Sequence, residues 1–70
     1  MRISARTVLK GKVIKYDQGA VNAEVVIQLP GGDEIVSIIT KGAAAKLGID
    51  VGKKAYAIIK ASNVMVGVDE

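Results

Sequence analysis

The chain has 70 residues, enough for one domain with a modest core. It holds no Cys and no His, which excludes disulfides, thiolate or imidazole metal sites and the usual nucleophile–base pairs of enzymes. Half of it is hydrophobic, more than so small an interior takes up, and the formal charge is +3, so partners to weigh are further copies of the chain, small anions, nucleic acid and membrane surfaces.

In chain order, residues 7–16 (TVLKGKVIKY) are β-rich, with Gly11 expected at a bulge and 17–19 as a turn. Strict alternation over 21–29 puts Val21, Ala23, Val25, Ile27 and Leu29 on one face of a half-buried strand. The PGGD stretch at 30–33 is a turn, and 34–40 (EIVSIIT) is the returning strand. That strand is apolar on both faces, Ile35 and Ile39 against Val36 and Ile38, which predicts cover from both sides. The KGAAAKLG stretch at 41–48 breaks the alternation; its alanines favour one or two helical turns, with Gly48 suited to the position after the helix. A strand follows over 54–60, where Lys60 continues the face of Tyr56 and Ile58 and is expected to bury part of its stem. A last strand is expected over 63–68, with Val64, Val66 and Val68 alternating against Met65 and Gly67. Five strands with a short helix between the third and fourth is the order of an all-β, five-stranded OB-fold-type Greek-key barrel, here a single domain over 1–70.

Four groups of residues carry usable chemistry. In an extended segment Ser4 and Arg6 point the same way, and a hydroxyl and a guanidinium can share one oxyanion; taken alone, the pair reads as a solvated terminus. Lys60, Ala61 and Ser62 place an ammonium, a hydroxyl and backbone N–H groups at one bend with no carboxylate close in sequence; a lysine snorkelling at a strand end explains them equally well. Thr40 to Ala43 opens the short helix, whose first N–H groups favour anions, although a plain N-cap is the commoner meaning of Thr there. Gly19, Ala20, Val21, Asn22 and Ala23 read by themselves as a turn entering a strand.

Other classes find little support. Acidic residues are scattered and form no general acid–base constellation, and no glycine-rich phosphate loop is present, so the chain is expected not to be an enzyme. Tyr16 and Tyr56 are the only aromatics, too few for a base-stacking platform, so no nucleic-acid partner is expected. No apolar run approaches the ~20 residues of a membrane span and the N-terminus lacks a signal-peptide core, so a cytoplasmic chain with no membrane partner is the expectation.

The stretches ISARTVLKGKV, GAVNAEVVIQL, SIIT and LGIDVGKKAYAIIKASNVMV together resemble the Mop family, the molbindins, whose module is also called TOBE. The resemblance implies a barrel that assembles as a homo-oligomer, a hexamer built as a trimer of dimers, and binds molybdate or tungstate at subunit interfaces with no organic cofactor. It implies Ser4, Arg6, Lys60, Ala61 and Ser62 as donors, with Thr40 contributed by a neighbouring subunit. Related modules often carry Ser at the position of Ala43, so one hydroxyl is absent and only the backbone N–H remains. The stretch 19–23 matches a segment near a second site, on the threefold axis. Two roles are then open: a store or buffer of the oxyanion, or a module that senses it for a separate transporter or transcription factor.

Overall fold

The structure is a computed structural model that describes residues 4 and 7–69. The long strand β1 (Thr7–Gln18) organises the rest. Its first half, from Thr7 to Lys12, pairs antiparallel with β4 (Lys54–Ile59), and its second half, from Lys12 to Gln18, with β2 (Asn22–Gln28). β2 pairs in turn with β3 (Glu34–Thr40) in unbroken register from Asn22↔Thr40 to Gln28↔Glu34. One antiparallel sheet results, in the order β3-β2-β1-β4.

The expected first turn comes two residues late. Asp17 and Gln18 stay in β1, opposite Glu24 and Ala23, and the chain turns where the Gly19 N–H donates to the Asn22 carbonyl at 2.7 Å. The bulge also moves, from Gly11 to the step between Val13 and Lys15, where Ile14 is the extra residue. An extra residue bends a strand and increases its twist, which lets β1 serve two partners. Gly11 answers a different need. A Cβ there would lie 2.5 Å from the Gln28 carbonyl oxygen and 2.6 Å from Ile27 Cγ2, so only glycine lets β2 pass this close.

The helix α1 (Lys41–Leu47) follows β3 directly. Thr40 caps it, and Gly48 ends it in the left-handed region at φ 66° with its N–H on the Ala44 and Ala45 carbonyls. Ala44 is wholly buried, and the Ile49 N–H donates to its carbonyl at 3.0 Å, which lays Ile49 against the core. That core is Val13, Val25, Ile27 and Ala57, with Leu9, Tyr16, Ile35 and Ile39 packed around it. Full burial of a side chain such as Val13 contributes about 1.5–3 kcal/mol.

Two expectations change. β4 turns Ala55, Ala57 and Ile59 inward, because the space beside Val13 and Val25 admits alanine and not tyrosine. Tyr56, Ile58 and Lys60 therefore face outward, and Lys60 is exposed instead of burying its stem. The fifth strand is not formed: the described chain has four. After β4, Ala61–Asn63 make one 3-10 turn, and residues 64–69 leave it without entering any ladder. Val64 has extended backbone angles, yet Met65 is 94% and Val66 89% exposed. The physical reason is that the turn carries the chain away from the sheet, so a strand-like sequence stays clear of both open edges, β3 and β4. A cleft lined by Ile35, Val36 and Ser37 of β3 and by residues 56–59 of β4 separates the sheet's two edges. Val36 and Ile38, expected to be covered, are exposed on the outer face of β3.

Candidate functional site

Lys60, Ala61 and Ser62 form the exit from β4. Ile59, the residue before them, pairs with Thr7 at the beginning of β1. Sequence reading put a bend here between β4 and a further strand, with Ser62 on the side of Lys60 had the chain stayed extended. Instead the Asn63 N–H donates to the Lys60 carbonyl at 2.9 Å and the Val64 N–H to the Ala61 carbonyl at 3.3 Å, closing a tight turn. The N–H groups of Ala61 and Ser62 precede the first of these bonds and point away from the turn, as the leading N–H groups of any helical turn do. All three residues are exposed, and so is Ser4. Arg6 lies outside the described residues.

Thr40 ends β3, opposite Asn22, at the end of the sheet where β1 finishes. Its Oγ1 accepts from the Ala43 N–H at 3.0 Å. The Ala43 N–H is thus engaged within the chain, while the Thr40 hydroxyl keeps its own proton to donate. No acidic residue occupies the first turn of α1, and Lys41 stands there, at a position where the helix dipole favours negative charge. The Lys41 N–H donates to the Val21 carbonyl at 2.9 Å. This bond ties the helix start to the 19–23 segment, so two groups separate in the sequence adjoin in the fold. Within that segment the Gly19 N–H is used by the turn and Ala23 is buried opposite Gln18. Ala20, Val21 and Asn22 are the residues it presents outward.

The two sets of donors therefore sit at opposite ends of β1. Lys60, Ala61 and Ser62 lie beyond its start, and Thr40 with 20–22 lies beside its finish. Among the described residues the ion pairs are Lys15–Asp17 at 3.5 Å and Lys15–Glu24 at 3.3 Å, and neither involves Lys60 or Lys41. The hydrogen bond and charge of Glu24, and then those of Asp17, raise the Lys15 pKa above its usual 10.5. The described residues hold no cluster of Asp and Glu able to grip a metal cation. The arrangement can supply hydrogen-bond donors and positive charge, and it suits an anion. Sequence reading did not single out Lys10, Lys12 and Lys54, which converge at one groove; the alternate spacing of 10 and 12 on a strand was the available signal.

Comparison with known proteins agrees with this chemistry. The TOBE domain pattern matches residues 3–66. A probable molybdenum-pterin-binding protein of Haemophilus influenzae is 52% identical over 69 residues, 99% of this chain and 100% of that one. Among solved structures, MopII from Clostridium pasteurianum superposes with a TM-score of 0.91 at 42% identity, over 96% of this chain and all of that one. The cytoplasmic molybdate-binding protein ModG, solved with molybdate bound, gives 0.94 at 54% identity, over 99% of this chain and 49% of the ModG chain. No described helix is long and apolar enough to cross a membrane.

Proposed function

The chain belongs to the TOBE-domain family, among its Mop-type members, and from that premise we propose that it binds molybdate or tungstate between copies of itself and so stores or buffers the anion. The observation that carries this reading is the separation of the donors. Lys60, Ala61 and Ser62 lie at one end of β1 and Thr40 at the other, so a site that uses both sets draws on two chains. Ser4 and Arg6, just ahead of the Thr7–Ile59 pair in the sequence, join the Lys60 set.

Molybdate and tungstate at neutral pH are tetrahedral dianions without protons, and they only accept hydrogen bonds. Arg6, Lys60, Ser4, Ser62, Thr40 and the Ala61 and Ser62 N–H groups can all donate. Monohydrogen phosphate brings a proton that such a site leaves facing donors, which disfavours it. Sulfate lacks that proton too, so only the size of the site can distinguish it from molybdate. Ala43 takes part only when its N–H leaves Thr40 Oγ1. A second site on the threefold axis of a hexamer, a trimer of dimers, uses Ala20, Val21 and Asn22, with Gly19 and Ala23 shaping the segment.

The partner copy also answers the loose end of the fold. Residues 64–69 alternate apolar side chains and enter no ladder, while the edges of β3 and β4 border an apolar cleft. A strand from a second copy laid along such an edge completes the barrel in OB-fold form. Anions that bridge chains then stabilise the assembly by mass action.

Equilibrium dialysis against molybdate, combined with native mass spectrometry, tests the reading. The expected result is a hexamer that retains molybdate and releases it to excess tungstate. A monomer, or an assembly that takes up neither anion, overturns it.

A further inference from the structure

Three of the lysines that the oxyanion site leaves unused, Lys10, Lys12 and Lys54, converge at the other end of β4, which starts six residues and about 20 Å of strand from Lys60. Lys12 stands opposite Lys54 in the β1–β4 ladder. The Val13 N–H donates to the Lys53 carbonyl at 2.8 Å, so Lys12 and Lys54 form a pair without direct backbone bonds between them. In such pairs the Cα atoms are only about 4.5 Å apart and the side chains are closest. Like charges placed directly opposite weaken a sheet, and nothing in the fold requires them here. Lys10, two residues back, shares their face. These lysines line a shallow groove with Gly11, Gln28, Leu29 and Pro30. None of the described residues lining it is acidic, and the described ion pairs all belong to Lys15.

We propose that this groove binds a polyphosphate, two or three linked phosphoryl groups either free or carried by a nucleoside. Ammonium groups on flexible stems are compact donors that adjust to phosphate oxygens. Three of them at one groove match a linear anion of three or four charges better than a single tetrahedral dianion, which reaches fewer of them at once. Leu29 and Pro30 offer an apolar wall to whatever the phosphates carry. A nucleic-acid backbone needs a longer basic track, and this cluster ends with the strand pair.

The test is calorimetric titration of the full chain, saturated with molybdate, in magnesium-free and mildly alkaline buffer that keeps phosphates deprotonated. Inorganic pyrophosphate, ATP and a single-stranded oligonucleotide are the probes. Pyrophosphate is expected to bind, and K12Q with K54Q is expected to weaken it about tenfold or more. K60Q is expected to leave that affinity unchanged. Lys12→Arg, which keeps the charge, retains binding. Equal affinity for ATP and pyrophosphate places recognition on the phosphates alone; tighter ATP adds the apolar wall; both support the proposal. Pyrophosphate affinity that is absent, or equal in wild type and in K12Q with K54Q, overturns it. So does oligonucleotide binding through these lysines without pyrophosphate binding. The molybdate held by K12Q with K54Q is read in the same experiment, so failure of this groove and failure of the oxyanion site are distinguishable.

Discussion

Lys60 is exposed, stands clear of the described ion pairs and follows a strand whose packing depends on Ala57. Its charge is available to a ligand and contributes little to the fold. Lys60→Ala is expected to weaken molybdate binding about tenfold or more, the worth of a charge-assisted hydrogen bond, with stability changed by no more than about 0.5 kcal/mol. Arg6→Ala is expected to do the same. Dialysis and urea unfolding read the two quantities separately, and unchanged binding in both variants places the site elsewhere. Gly11 is the opposite case. Gly11→Ala drives a methyl into the Gln28 carbonyl and Ile27, with an expected loss of about 1–3 kcal/mol in urea unfolding. Lys15 adds a pH signature. Glu24 and Asp17 raise its folded pKa above the unfolded 10.5, so its contribution is complete below 10.5 and fades as pH rises through the folded value. Lys15→Met is therefore expected to melt slightly lower than wild type at neutral pH, with the gap closing in strong alkali. Both ion pairs of Lys15 are open to solvent, and salt narrows the same gap.

At the scale of elements, the informative piece is residues 64–69. In the isolated chain Val66 is 89% exposed, and replacing it would cost almost nothing. If the segment instead lies on a second copy, Val64→Asp with Val66→Asp buries two unpaired charges and separates the subunits. Light scattering of that variant is expected to show a smaller species than wild type; an unchanged mass removes the strand-completion reading. The bulge at Ile14 is the other element-level device. It bends β1 so that one strand holds β4 with its first half and β2 with its second. The pairs Thr7↔Ile59 at its start and Gln18↔Ala23 at its finish set the two groups of donors at opposite ends of β1.

For the whole molecule, the core is small, and on the proposed reading association between copies is its main support. Its fully buried members are small, alanines and Val13, while Val8, Val36, Ile38, Tyr56 and Ile58 remain open to solvent on outer faces. Stability that resides in contacts between copies depends on concentration. The melting temperature is expected to rise with protein concentration, and to rise again with added molybdate. A melting temperature constant over about a hundredfold range of concentration shows that one chain suffices.

By itself the sequence determined the strands β2 and β3, the turn between them, the helix with Gly48 at its end, and the family. Each rests on local chemistry: period-two alternation over 21–29, glycines in a turn, alanines bounded by Thr40 and Gly48. Tertiary structure decided the rest. Alternation over 54–60 is the same whichever face is inward, and the narrow space beside Val13 and Val25 chose Ala57 over Tyr56. Alternation over 63–68 promises a strand, but a strand exists only where an edge accepts its hydrogen bonds, and after the turn at 61–63 this segment joins neither open edge, β3 or β4. The closeness of 19–23 to Thr40, the distance of both from Lys60 and the meeting of Lys12 with Lys54 are likewise matters of register, which is a relation between strands and is not encoded in either one alone.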